Sequence, residues 1–153
     1  SAMAFANAFL GMTHSLAHKV GAEFHTVHGH SCAILLPYVI RYNGQVPTKL
    51  SVWPKYNVYC ADKKYQDIAR LLGLKANTPE EGVESLANAV SDLMKEIDLT
   101  NNFASYGISE EDWYNKVDEM ATMAYEDQCS PANPRVPLVE DMKDILRKAY
   151  KGS

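Results

Sequence analysis

All five histidines of this 153-residue chain lie between His14 and His30, and the residues around them dictate how they are carried. From Ala4 to Val20 the residues are good helix formers, and Phe5, Phe9, Met12, Leu16 and Val20 recur at three- and four-residue steps. Gly21 stands where such a helix would end in a left-handed cap. His14 and His18 are four apart, so both point from one face, one turn apart. The chain then reverses through Gly21 to Thr26 and presents His25 and His28 at the mouth of the next segment. Ala33, Ile34, Leu36, Pro37 and Ile40 make that segment apolar and helical, with Pro37 as a bend inside it. Two helices joined by a histidine-bearing turn can bring His14 close to His28, the arrangement a divalent metal held by imidazole requires. Spacing alone favours a different pair, His14 with His18, because histidines at i and i+4 form a zinc half-site. A polar helix face of solvated histidines is the plain alternative, and so dense a cluster of side chains that bind metals and titrate near neutrality argues against it.

The rest of the chain reads as helices separated by turns. Residues 45–61 form a loop whose Pro47, Trp53, Pro54, Tyr56 and Tyr59 are expected to pin it against the core. Asp62 is expected to cap a helix to Leu72, ended by Gly73. Thr78, Pro79 and Glu81 supply an N-cap, a first-turn proline and a glutamate at the third position. The helix they open runs to about Ile97 and turns Val83, Leu86, Val90, Leu93 and Met94 inward. Asn101 to Gly107 reads as a turn. Ser109 caps a further helix carrying Trp113, Val117, Met120 and Ala124. The acidic residues at these starts suit the helix dipole, so they read as caps and not as catalytic carboxylates. Three prolines keep 129–137 out of regular structure, with Asn133-Pro134-Arg135 as a rigid turn bracing the last helix. That helix, Leu138 to Tyr150, faces Leu138, Met142, Ile145, Leu146 and Ala149 inward. No strand alternation appears. The expected architecture is all-α: a compact bundle of about six to eight helices.

Composition narrows the function classes. A net charge of −4 and a pI near 5.7 give no electrostatic reason to expect nucleic acid or an anionic membrane. No apolar run reaches the roughly 20 residues that span a bilayer. Cys32, Cys60 and Cys129 are odd in number and widely spaced, which suits reduced thiols in a cytoplasmic protein.

The run Gly11 to Gly21 with His14 and His18, then His28-Gly29 and the apolar Ala33 to Pro37, resembles the histidine signature of iron-dependent alcohol dehydrogenases. It is most similar to the alcohol dehydrogenase half of bifunctional aldehyde–alcohol dehydrogenases. The resemblance continues through Val39 to Asn43, Pro47 to Lys49, Tyr65 to Ala69, Leu72 to Leu74, Asp127 to Cys129 and Ala132 to Arg135, and so covers nearly the whole chain. It implies the family's dehydroquinate synthase-like helical domain and a metal with four ligands, two of them from an earlier segment of the protein. The two in this chain are then His14 and His28. His18 matches a histidine close to metal and nicotinamide that is not a ligand, which makes it the catalytic and cofactor-contacting residue. Resemblance and helical spacing disagree about His18, and the reading adopted is that of the resemblance. Val27 departs from the pattern, since many members place proline there, and this is expected to loosen the turn. His25 and His30 are expected to be bystanders.

The resemblance also implies parts that this sequence does not contain. Neither a glycine-rich phosphate loop after an apolar strand nor an Asp-x-x-x-His precedes the signature. Ser1 to Met3 reads as a cloning remnant, leaving 4–153 as a metal-binding helical domain. The implied partner is the remainder of an NAD-dependent dehydrogenase with its nucleotide-binding domain. The metal would be Fe2+, with Zn2+ as the alternative, and the substrate a small alcohol or aldehyde. NAD would bind only in the intact enzyme. Alone, the chain is expected to be inactive, to hold metal weakly and to form homo-oligomers. The rival reading is a non-catalytic all-α module that associates with itself or binds metal weakly.

Overall fold

In a computed structural model the described residues contain seven α-helices with defined ends and one 3₁₀ turn, and no strand. The description covers all residues except 1, 2, 4, 5, 8, 49–57 and 153. The helices are α1 (Met12–Phe24), α2 (His28–Asn43), α3 (Ala61–Leu71), α4 (Pro79–Glu96), α5 (Phe103–Tyr106), α6 (Glu110–Tyr125) and α7 (Val139–Lys151), with the 3₁₀ turn Ser130–Ala132 before α7. The all-α expectation holds. The cloning-remnant reading at residues 1 and 2, Phe5, and the loop residues Trp53, Pro54 and Tyr56 lie outside the described residues.

Helix α2 is the shared wall: α1, α3, α4 and α7 all pack against it. On one side α1, α2, α6 and α7 enclose the larger core, which includes Met12, Leu16, Val20, Ile34, Leu35, Val117, Met142 and Leu146. Trp113 is fully buried there between the rings of Phe24, Phe103 and Tyr150, with centroids 5.4, 4.6 and 5.4 Å away. On the other side Ile40, Ala69, Val83, Leu86 and Ala87 join α2 to α3 and α4. A Cβ at Gly82 would come within 2.6 Å of the Gln66 backbone, so glycine is what lets α3 and α4 approach this closely.

Several local expectations are corrected. Helix α1 does not run continuously from Ala4: Phe9 has φ +60° and Gly11 is extended, so the helix begins afresh at Met12. Nor does Gly21 end it. The helix continues to Phe24 and stops at His25, which takes the left-handed conformation (φ 53°). A glycine inside a helix costs about 1 kcal/mol. Stacking Phe24 on Trp113 contributes about 0.5–1.5 kcal/mol beyond the area buried, enough to carry the helix past Gly21. Asp62 is a buried first-turn residue, not the cap of α3; the N-cap position is Cys60. Asn101 to Gly107 contains the helical turn α5, capped by the Asn102 side chain. Leu93 and Leu138 are exposed rather than inward. Thr78 and Ser109 cap α4 and α6 as their sequence patterns require, and Gly73 has φ +73° beyond α3. Pro37 is buried inside an uninterrupted α2.

Candidate metal centre

The site is built where α1 and α2 meet. Residues 25–27 link the two helices, and three bonds hold this link. Thr26 Oγ1 and Ser31 Oγ are 2.6 Å apart, the Val27 N–H donates to the Tyr106 hydroxyl at 3.1 Å, and His30 Nε2 sits 2.7 Å from the Thr100 carbonyl. A proline at position 27 could not make the second of these bonds. Val27 is therefore tethered, and the loosening expected from it is replaced by a hydrogen bond to α5. His30 also packs edge-on against Tyr106, centroids 4.9 Å apart, and serves as a brace. His25 is exposed at the helix end.

The N-terminus of α1 is held from far along the chain. Asn133, buried to 1% exposure, accepts the Met12 N–H at 3.2 Å through Oδ1. Its amide nitrogen donates to Asn43 Oδ1 at 2.6 Å and to the Arg135 carbonyl at 2.7 Å, and Asn43 Nδ2 returns a bond to Oδ1 at 3.3 Å. The turn at Asn133 thus braces the start of α1 and the end of α2, a wider role than bracing the last helix. His14 follows Met12 within the same helical turn.

Three imidazoles converge there. Ring centroids lie 5.4 Å apart for His14 and His28, 5.5 Å for His18 and His28, and 6.2 Å for His14 and His18. Burial, then the neighbouring His28 and His18, lower the pKa of His14 below its ordinary 6.5, so its ring is neutral near pH 7. A neutral imidazole is the form that binds a cation. Two sets of possible donor atoms form among the described residues, each within 4.8 Å: His14 with His28 and Cys32, and His18 with Asp127 and Cys129. The histidines that spacing paired therefore fall into different sets, and His14 and His28 fall into the same one.

His18 is engaged elsewhere. Its Nδ1 is 3.3 Å from Asp127 Oδ2, which also receives the Lys19 ammonium at 2.9 Å. Burial alone would raise the Asp127 pKa. The Cys129 backbone N–H, Lys19 and His18 outweigh it and hold the carboxyl well below the ordinary carboxylate range. An ionised Asp127 fixes the Nδ1–H tautomer of His18 and leaves Nε2 as the free ring nitrogen. Lys19, Cys32 and Asp127 were not singled out as site residues from the sequence. For Cys32 a signal existed, since it lies four residues after His28 on one helix. For Asp127 the only signal was that Asp127 to Cys129 belongs to the family resemblance; its pairing with His18, 109 residues away, is not legible from spacing.

Beside His14 opens a cleft of about 790 Å³, lined by Phe9, Leu10, Cys32, Leu36 and Tyr65 among others. Phe9 is 70% exposed and lines this cleft rather than the core.

An all-α domain that gathers histidines from two adjoining helices onto one small opening is, as a class, a helical domain with a candidate metal centre. The chain belongs to the Fe-containing alcohol dehydrogenase family: that family's C-terminal domain matches residues 1–150. The aldehyde-alcohol dehydrogenase of Streptococcus pneumoniae serotype 2 (strain D39 / NCTC 7466) is 63% identical over 150 residues, which cover 98% of this chain and 17% of that protein. The bifunctional aldehyde-alcohol dehydrogenase of Escherichia coli (strain K12) is 40% identical over 153 residues, with 98% and 17% covered. The iron-containing alcohol dehydrogenase structure from Thermococcus thioreducens superposes with a TM-score of 0.79 at 31% identity, over 98% of this chain and 34% of that one. The chain thus spans about a sixth of the length of these two curated relatives.

Proposed function

We propose that this chain is the metal-binding helical domain of an NAD-dependent, iron-type alcohol dehydrogenase that interconverts an aldehyde and a primary alcohol. The observation that carries the reading is the convergence of His14 and His28, drawn from two helices, beside a largely apolar cleft. Two imidazoles suit iron, and they suit zinc equally. When bound, the metal would supply Lewis-acid polarisation of the alcohol or aldehyde oxygen. His14 and His28 would each offer a ring nitrogen to it. Phe9, Leu10 and Leu36 would receive the carbon chain and exclude water from the reacting end. His18, its Nδ1–H held by Asp127, would present Nε2 toward the nicotinamide or a proton on the substrate.

The family resemblance implies four metal ligands, and this chain contributes two histidines to that set. The nucleotide-binding domain would bring the other two together with NAD, so the 153 residues alone are expected to give no alcohol turnover. Metal analysis and ethanol oxidation by an intact dehydrogenase carrying this domain test the assignment. His14→Ala and His28→Ala should each remove metal and activity together. His18→Ala should remove activity and keep the metal. Metal lost with His18→Ala, or kept in both of the other variants, would overturn the pairing.

A further inference from the structure

We infer that Cys32 Sγ is a third donor to a divalent ion held by His14 and His28, giving this chain a two-nitrogen, one-sulfur metal site. The inference rests on the proposed metal role of that histidine pair and adds to it an atom which the family resemblance does not supply.

Three observations on one side of α2 carry it. Cys32 lies four residues after His28, so both side chains leave the same helix face one turn apart. The Cys32 Sγ to His28 Nε2 distance is 3.6 Å. Bond lengths of about 2.0–2.1 Å to nitrogen and about 2.3 Å to sulfur, at a tetrahedral angle, put the two donors about 3.6 Å apart. The sulfur and nitrogen already stand one tetrahedral edge from each other. A donor atom of His14 completes the set within 4.8 Å, a separation that modest side-chain rotation closes. Cys32 is only half-buried and lines the open cleft, so an ion can reach it.

The other donor set is the weaker competitor. In it Asp127 already holds the Lys19 ammonium at 2.9 Å and accepts the Cys129 backbone N–H at 3.0 Å, so a positive charge occupies the place a cation would take. Cys129 is itself buried.

The chemistry balances simply. In the metal-free chain burial keeps Cys32 as the thiol. On binding, the S–H bond is replaced by a sulfur–metal bond and the proton passes to solvent, with no change of oxidation state. A thiolate in the set shifts preference toward thiophilic ions such as zinc over iron.

The test titrates the 153-residue chain with Co2+ and with Zn2+, anaerobically and with thiols reduced. Bound Co2+ should show a thiolate-to-cobalt charge-transfer band in the near ultraviolet. Cys32→Ser and Cys32→Ala should abolish that band, and Cys129→Ser should keep it. Zn2+ affinity, read by competition with a chromogenic chelator, should fall in Cys32→Ser by at least the roughly 10–100-fold that losing an outer-shell partner costs. Circular dichroism confirms that each variant is folded, and the two Cys32 variants check one another. A band that survives both Cys32 substitutions, or disappears with Cys129→Ser alone, overturns the sulfur assignment. So does cobalt binding without a band: if that binding is lost in His14→Ala, the histidine pair stands and Cys32 only hydrogen-bonds to His28. Zn2+ affinity unmoved by both His14→Ala and His28→Ala overturns the metal reading itself.

Discussion

Replacing Asn133 by alanine should be among the most damaging single changes in the protein. The side chain is almost wholly buried and takes part in four hydrogen bonds: with the Met12 N–H, with Asn43 in both directions, and with the Arg135 carbonyl. At about 1 kcal/mol for each bond, the loss is about 4 kcal/mol. For a chain of this length that lowers Tm by about 8–16 °C. Thermal unfolding followed by circular dichroism measures it. The two Asn43–Asn133 bonds should also make those residues non-additive. A cycle of Asn133→Ala, Asn43→Ala and the double variant should show a coupling of about 1–2 kcal/mol, since contacting residues in one network couple by amounts of this order. A Tm within about 3 °C of the parent, or additive single effects, would refute the claim that this pair anchors the helix carrying His14.

Gly82→Ala should lower Tm sharply, because the new Cβ would meet the Gln66 Cα at 2.6 Å and force α3 away from α4; an unchanged melting curve would contradict so close a packing. Asp127 gives an acid dependence whose sign follows from its depressed pKa. Its contribution is complete above the ordinary value of 3.8 and is lost progressively as pH falls below it, so wild type should destabilise more steeply on acidification than Asp127→Asn. Parallel acid titrations of Tm that coincide would exclude this. Ile68 and Leu71 on α3 and Leu72 at its C-cap expose apolar side chains, at 43%, 87% and 60%, and the isolated chain should therefore associate. Light scattering should report a mass above 17.1 kDa, and a strict monomer would disprove it.

The sequence alone was enough for the helical class and for several helix boundaries. Thr78-Pro79 and Ser109 announce α4 and α6 because a cap is a local device, complete within four residues. The recurrence of apolar residues at helical spacing likewise marked the buried faces of α1, α6 and α7. The helix–turn–helix reading made His14 and His28 one candidate pair and helical spacing favoured His14 with His18; the choice of His28 came from the family resemblance. Periodicity describes one helix at a time and cannot show what a neighbouring helix brings, so it could not rank a partner across the turn. Only the tertiary structure decided that α1 begins at Met12 and outlasts Gly21, since both ends are fixed by groups distant in sequence, Asn133 at one and Trp113 at the other. The same holds for Asp127 beside His18. Cys32 lies between these cases: its spacing from His28 was legible, but its approach to His14 depends on how α1 and α2 pack.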